Sequence, residues 1–235
     1  MPETKSSFKT DTKSILCFGD SLTWGWIPVV EGSPTERYSF ADRWTGAMAG
    51  HLGAGCHIIE EGLSARTTSA DDPNDPRLNG SQYLPTAIAS HLPLDLVIIM
   101  LGTNDTKPYF QRTPYDIAYG MAKLVGQVLT GAYGVGTPYP APKCLVVAPP
   151  PLTPIPHPFF QGMFGGGHEK SAQLAQQYRD MANFMKVDFL NAGEFITTDG
   201  VDGIHFTKQN NHDLGKAIAA KVKEIFSRPA AGKAA

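Results

Sequence analysis

The serine of Gly19-Asp20-Ser21-Leu22 comes directly after a short apolar run, Ser14–Phe18. A strand that ends in a tight glycine turn lifts the next side chain to the carboxyl edge of a sheet. In open α/β folds, that edge is where chemistry is done. Serine oxygen is a poor nucleophile near neutral pH and needs an imidazole to take its proton. The imidazole in turn works best when a carboxylate fixes its tautomer and stabilises its charged form. Asp202-Gly203-Ile204-His205 offers both groups on one short turn, after the last predicted strand and before the last helix. Ser21 is thus a candidate nucleophile, with His205 and Asp202 as its most suggestive partners. Asp199 is a rival acid, although Thr198-Asp199-Gly200 reads better as a turn.

Two further segments reach the same edge. Gly102-Thr103-Asn104-Asp105 follows the third predicted strand, and the Asn104 amide can donate to negative charge developing on a carbonyl oxygen. The competing reading is an Asx turn that caps the next segment. Glu60-Glu61-Gly62-Leu63-Ser64-Ala65-Arg66-Thr67 follows the second strand. Its turn can aim backbone N–H groups into the crevice, or it can be a plain structural turn. Each feature is ambiguous singly. Four motifs after four different strands, all at the ligand edge, argue together for a serine hydrolase.

The elements that must position these residues alternate. Strands are predicted at Ser14–Phe18, Cys56–Glu60, Leu94–Met100, Lys143–Ala148 and Lys186–Leu190. Their nearly continuous apolar runs suit parallel strands covered on both faces. Helices are predicted at about Ala41–Leu52, Tyr83–His91, Thr113–Leu129, Glu169–Phe184 and Lys208–Phe226. The alternation implies an α/β fold, a three-layer α/β/α sandwich around a five-stranded parallel sheet with right-handed crossovers. It reads as one domain over residues 14–226, with flexible tails at 1–13 and 227–235. Trp26–Tyr38 and the proline-rich Thr137–Phe164 break the rhythm and read as loops, apart from the strand at Lys143–Ala148 inside the second.

Composition bounds the function. Among 235 residues, 42% are hydrophobic and 18% charged, which fits a folded protein with a large core. The net charge of −2 and the absence of a basic stripe disfavour nucleic acid or an anionic membrane as main partner. No run reaches the length of a membrane span, and the polar Met1–Ser14 segment lacks the apolar stretch of a signal peptide. Cys17, Cys56 and Cys144, an odd number without CxxC, are expected to be reduced, buried thiols of a cytoplasmic protein.

These blocks, in this order, resemble the SGNH (GDSL-type) hydrolase superfamily over Ile15–Phe226. Leu22-Thr23-Trp24-Gly25-Trp26, Glu60–Thr68 and Leu92–Lys107 are similar to a narrower group, the bacterial arylesterase/acyltransferase/perhydrolase enzymes. The resemblance implies Ser21 as nucleophile, His205 as base then acid, and Asp202 as its orienter. It implies an oxyanion hole of the Ser21 backbone N–H, the Asn104 side chain and a backbone N–H at Ala65. Many superfamily members carry glycine at that last position. A positive φ at residue 65 would make Gly62 the better donor. Asp20 is expected to hold the turn rather than to act as an acid. No metal or cofactor is required, and the remaining histidines, His157 among them, are expected on the surface or in loops.

The expected chemistry is acyl transfer from a small ester through an acyl-serine, with water, an alcohol or hydrogen peroxide as acceptor. Trp24, Phe160, Met163, Phe164 and Ile204 are the candidate substrate contacts, and Trp26 and Phe159 in or near the same loops can join the aromatic residues in an apolar entrance; these loops can equally pack into the core or at an interface. The resemblance also implies a homo-oligomer, an octamer by analogy. Two rival readings stand beside this one. A carbohydrate acetylesterase shares fold and triad but calls for an open, polar cleft. A non-enzymatic flavodoxin-like binding module calls for a phosphate-cradling loop, and neither GxxxxGK[ST] nor GxGxxG is present.

Overall fold

The computed structural model describes residues 12–130, 135–137, 139–198 and 201–228. Five strands form one parallel sheet: β1 (Lys13–Gly19), β2 (Cys56–Gly62), β3 (Leu96–Met100), β4 (Lys143–Ala148) and β5 (Asp188–Asn191). Their spatial order is β2-β1-β3-β4-β5. Strand order reverses between β1 and β3, and this switch point opens the crevice in which α/β sheets place their ligands.

The three interior strands, β1, β3 and β4, lie where the apolar runs put them because they are covered on both faces. Along β1, Leu16 and Phe18 point into one core layer while Ile15 and Cys17 point into the other. β3 repeats the split, with Val97 and Ile99 against Leu96, Ile98 and Met100. A two-residue period serving two apolar layers leaves no position for a polar side chain. Helices α2 (Trp44–Leu52) and α7 (Lys208–Ser227) cover one face. Helices α3 (Gly80–His91), α4 (Pro114–Thr130) and α6 (Gly167–Met185) cover the other.

Several boundaries differ from the sequence reading. A 3-10 turn, Phe40–Asp42, precedes α2, so that helix begins at Trp44 rather than Ala41. Helix α3 begins three residues early, because the Asn79 side chain accepts from the Ser81 N–H and caps it. Thr137–Phe164 is less irregular than its prolines suggest. Besides β4 it holds a short helix, α5 (Pro158–Met163), with Pro158 at the first turn, where a missing N–H costs nothing. Of the tails expected to be flexible, most lies outside the described residues; Lys13 opens β1 and Ser227 closes α7. Cys17 and Cys144 are buried, whereas Cys56, at the start of an edge strand, is only half-buried. No helix among the described residues is long and apolar enough to cross a membrane.

Candidate active site

Ser21 opens α1 (Ser21–Trp24), a single helical turn directly after β1. Asp20 caps that turn, its Oδ1 accepting from the Leu22 N–H at 2.9 Å, and Gly25 closes it in the left-handed conformation, φ 94°. As the first helical residue, Ser21 keeps its own N–H free of an intrahelical partner. The expectation for Asp20 thus holds as a local cap. Its other oxygen does more, accepting from Asn104 Nδ2 at 3.2 Å across the switch point.

His205 comes from the turn between β5 and α7. The Ser21 Oγ and His205 Nε2 are 2.9 Å apart, and His205 Nδ1 lies 2.7 Å from Asp202 Oδ2. Asp202 Oδ1 also accepts from the backbone N–H groups of Ile204 at 2.9 Å and His205 at 2.8 Å. Burial pushes the Asp202 carboxyl up, but the hydrogen bond and charge of His205, with the two N–H groups, hold it below the usual carboxylate range. An ionised Asp202 can only accept, so Nδ1 carries the proton and Nε2 is left to accept from Ser21 Oγ–H. The turn depends on Gly203. Its φ is +77°, and a Cβ there would lie 2.6 Å from the Pro154 carbonyl oxygen. Asp199, the rival acid, lies outside the described residues.

Asn104 begins a 3-10 turn after β3, and its side chain caps nothing. Its amide instead points to Asp20 Oδ2 and to the Arg66 carbonyl, both at 3.2 Å, which ties the ends of β1, β2 and β3 together. Arg66 belongs to the same tie. Buried beneath the Phe18 ring, 4.2 Å from guanidinium carbon to centroid, it donates from Nη1 to the Gly19 carbonyl at 2.9 Å and to the Glu61 carbonyl. An arginine in a turn carries no local sign of this role, and the sequence reading passed over it.

Residue 65 overturns one line of reasoning. Ala65 does adopt a positive φ, 69°, yet it lines the cavity around Ser21 with Ser64, and Gly62 does not. Gly62 packs against the backbone of α1, where a Cβ would meet Trp24 N at 2.4 Å. A left-handed alanine costs roughly 1–2 kcal/mol, a sum that surrounding contacts can carry. The backbone N–H groups of Ser21 and Ala65 bond to none of the described residues.

The cavity holds about 250 Å³ and its walls are largely apolar, with Ile155, Phe160, Met163, Phe164 and Ile204 among them. Ser21, Asn104, Asp202 and His205 are among its polar lining residues. Four of the five residues expected to contact substrate thus line this cavity. Trp24 does not. It ends α1 and faces Arg37, whose guanidinium sits 5.4 Å from its ring. After the turn at Gly25 the chain instead carries Trp26 over His205, ring on ring at 5.0 Å and 15°. His157, expected on the surface or in a loop, is half-buried in the loop before α5 and also lines the cavity, its ring 5.4 Å from that of Phe160.

Comparison with known proteins gives the chain a family. The model of the GDSL-like lipase/acylhydrolase family matches residues 17–210, from β1 to the start of α7. The chain belongs to that family. It is 72% identical to Est24, a carbohydrate acetylesterase from Sinorhizobium meliloti, over 92% of this chain and 100% of that one, with a TM-score of 0.90. It is 66% identical to the aryl esterase of M. smegmatis, over 91% and 99% of the two chains, with a TM-score of 0.89. A second S. meliloti carbohydrate acetylesterase family member is 37% identical over 92% and 100%, with a TM-score of 0.85. A search of curated proteins finds no match. The α/β sandwich is thus that of the SGNH hydrolases, and this GDSL-family chain is an esterase of that class.

Proposed function

We propose that this protein hydrolyses small-acyl, acetyl-like esters through an acyl-serine intermediate formed on Ser21. The observation that carries the proposal is the continuous hydrogen-bonded line from Ser21 Oγ through His205 to Asp202, at the side of a small apolar cavity. Ser21 Oγ attacks the ester carbonyl as its proton passes to His205 Nε2. The resulting oxyanion is met by the free N–H groups of Ser21 and Ala65 and by the Asn104 amide, which gives up one of its two long bonds. The carbon–oxygen bond to the leaving alcohol or phenol then breaks, and that oxygen takes the proton from Nε2. An acceptor, activated by the same nitrogen, next attacks the acyl-serine and releases Ser21. Water gives the acid, an alcohol a new ester, and hydrogen peroxide a peracid. Apolar walls that limit water support transfer beside hydrolysis.

The identity to an enzyme described as a carbohydrate acetylesterase favours acetylated sugars as a second substrate reading. The apolar lining favours aryl and alkyl acetates. A binding module without catalysis has no use for the Ser21–His205–Asp202 line. Phe159, 67% exposed on α5 next to the cavity-lining Phe160, supports association of several copies, an octamer by analogy.

The test pairs wild type with Ser21→Ala. Wild type should cleave p-nitrophenyl acetate, with rates falling steeply as the acyl chain lengthens, and an organophosphate should label it once per chain. Ser21→Ala should show neither, and labelling that persists would place the nucleophile elsewhere. Parallel assays on acetylated sugars decide between the two leaving groups.

A further inference from the structure

One charged side chain in the cavity has no part in the acyl transfer above. Lys107 follows Asn104 by three residues in the turn after β3, its backbone N–H closing on the Asn104 carbonyl at 3.2 Å. It is only 5% exposed and lines the same cavity as Ser21 and Asn104. Among the residues that line it, Lys107 is the one lysine, and no arginine is present. Its ammonium makes no hydrogen bond or ion pair with a described residue and lies over the Phe164 ring, 5.3 Å from Nζ to centroid.

Three carboxylates attract that ammonium from a distance, Asp72, Asp20 and Asp105, while burial lowers its pKa. All three are committed elsewhere. Asp72 accepts from the Asn74 N–H and the Tyr109 hydroxyl, and Asp20 from Leu22 and Asn104. Asp105 takes the Thr68 N–H, the Thr68 hydroxyl and Arg112. A cation withdrawn from water with no hydrogen-bond partner among the described residues is costly to keep, and distant carboxylates offset only part of that cost.

We propose that Lys107 receives a carboxylate of the substrate, so that the favoured small ester is one that carries an anionic group. The assignment rests on the Ser21 esterase reading and names the substrate class of that site. One ammonium offers a single point charge, which suits a carboxylate within an otherwise apolar cavity.

The experiment compares two matched pairs of esters. On the acyl side these are p-nitrophenyl hydrogen succinate and p-nitrophenyl butyrate. On the alcohol side they are 4-acetoxybenzoate and its methyl ester. The readout is the anionic-to-neutral ratio of kcat/KM in wild type, Lys107→Met and Lys107→Arg. The proposal expects the ratio of at least one pair to fall tenfold or more in Lys107→Met, and to stay within threefold of wild type in Lys107→Arg. A smaller fall in both pairs, or an equal fall in Lys107→Arg, overturns it. Where Lys107→Met does not fold, Lys107→Gln takes its place in the same comparison. Wild type that cleaves none of the four esters, nor p-nitrophenyl acetate, would instead defeat the esterase reading itself.

Discussion

Asp20 sits beside the nucleophile with a carboxyl group that should make stability fall as pH rises. Burial pushes its pKa from 3.8 to about 7; the Leu22 N–H bond, Arg66 and Lys107 pull it down, and Asp105 pushes it up. Below about pH 4 both folded and unfolded chains hold this proton. Between there and pH 7 the unfolded chain releases it while the folded chain keeps it, so each step up in pH favours unfolding. Above pH 7 both forms are ionised and the loss is complete. A gap of this size corresponds to about 4 kcal/mol, of which roughly 2.5 kcal/mol develops between pH 5 and pH 8. Asp20→Asn removes the titration. It keeps an oxygen for the Leu22 N–H but turns an amide toward Asn104 Nδ2, now 3.2 Å from Asp20 Oδ2. That donor-to-donor conflict is the same at every pH and cancels in the comparison. Urea unfolding of both proteins at pH 5 and pH 8 should therefore show the variant gaining roughly 2.5 kcal/mol on wild type across that interval. A stability difference that stays flat to within about 0.5 kcal/mol would refute the reasoning, because Asp20 would then ionise at an ordinary pH despite its burial.

Three other outcomes follow from the same geometry. Asn104→Ala should lower kcat on the order of 10²–10³-fold, about 2.7–4 kcal/mol, with a much smaller change in KM; a variant within threefold of wild type would remove the amide from the oxyanion site. Ala65→Gly should raise stability by about 0.5 kcal/mol, since relief of the left-handed strain outweighs glycine's extra freedom in the unfolded chain. A lower urea midpoint would show that residue 65 is not strained. Gly203→Ala adds a Cβ 2.6 Å from the Pro154 carbonyl at φ +77°, and should cost about 1–3 kcal/mol while displacing His205. Its kcat should drop at least as far as that of Asn104→Ala, and near-normal turnover would mean that the turn yields without moving the base.

The parts of the fold legible in the sequence are those whose pattern is set by near neighbours. Val97–Met100 reads as a buried parallel strand because every position meets an apolar layer, whichever face it points to. Asp202 and His205 are legible as a pair because three residues on one turn bring acid and base together. Chain punctuation was less reliable. Proline density around Pro149-Pro150-Pro151 concealed the helix Pro158–Met163, since proline at a helix start reads the same as proline in a loop.

By itself the sequence determined the strands, their order along the chain, and the four segments that end at the carboxyl edge. Which atoms meet there was decided by the tertiary structure. Ser21 and His205 stand 184 residues apart, and their 2.9 Å contact exists only because β1 and β5 run parallel in one sheet and end at the same carboxyl edge. The same holds for Arg66 spanning Gly19 and Glu61, and for Lys107, which lines the cavity with no hydrogen-bond partner for its ammonium among the described residues. Trp24 and Trp26 show it most plainly. Two residues apart and alike in type, one faces Arg37 outside the cavity and the other covers His205. Local pattern reports what a side chain does to its own backbone. The direction in which it leaves a one-turn helix, and what waits there, is set by packing between elements that are remote in the chain.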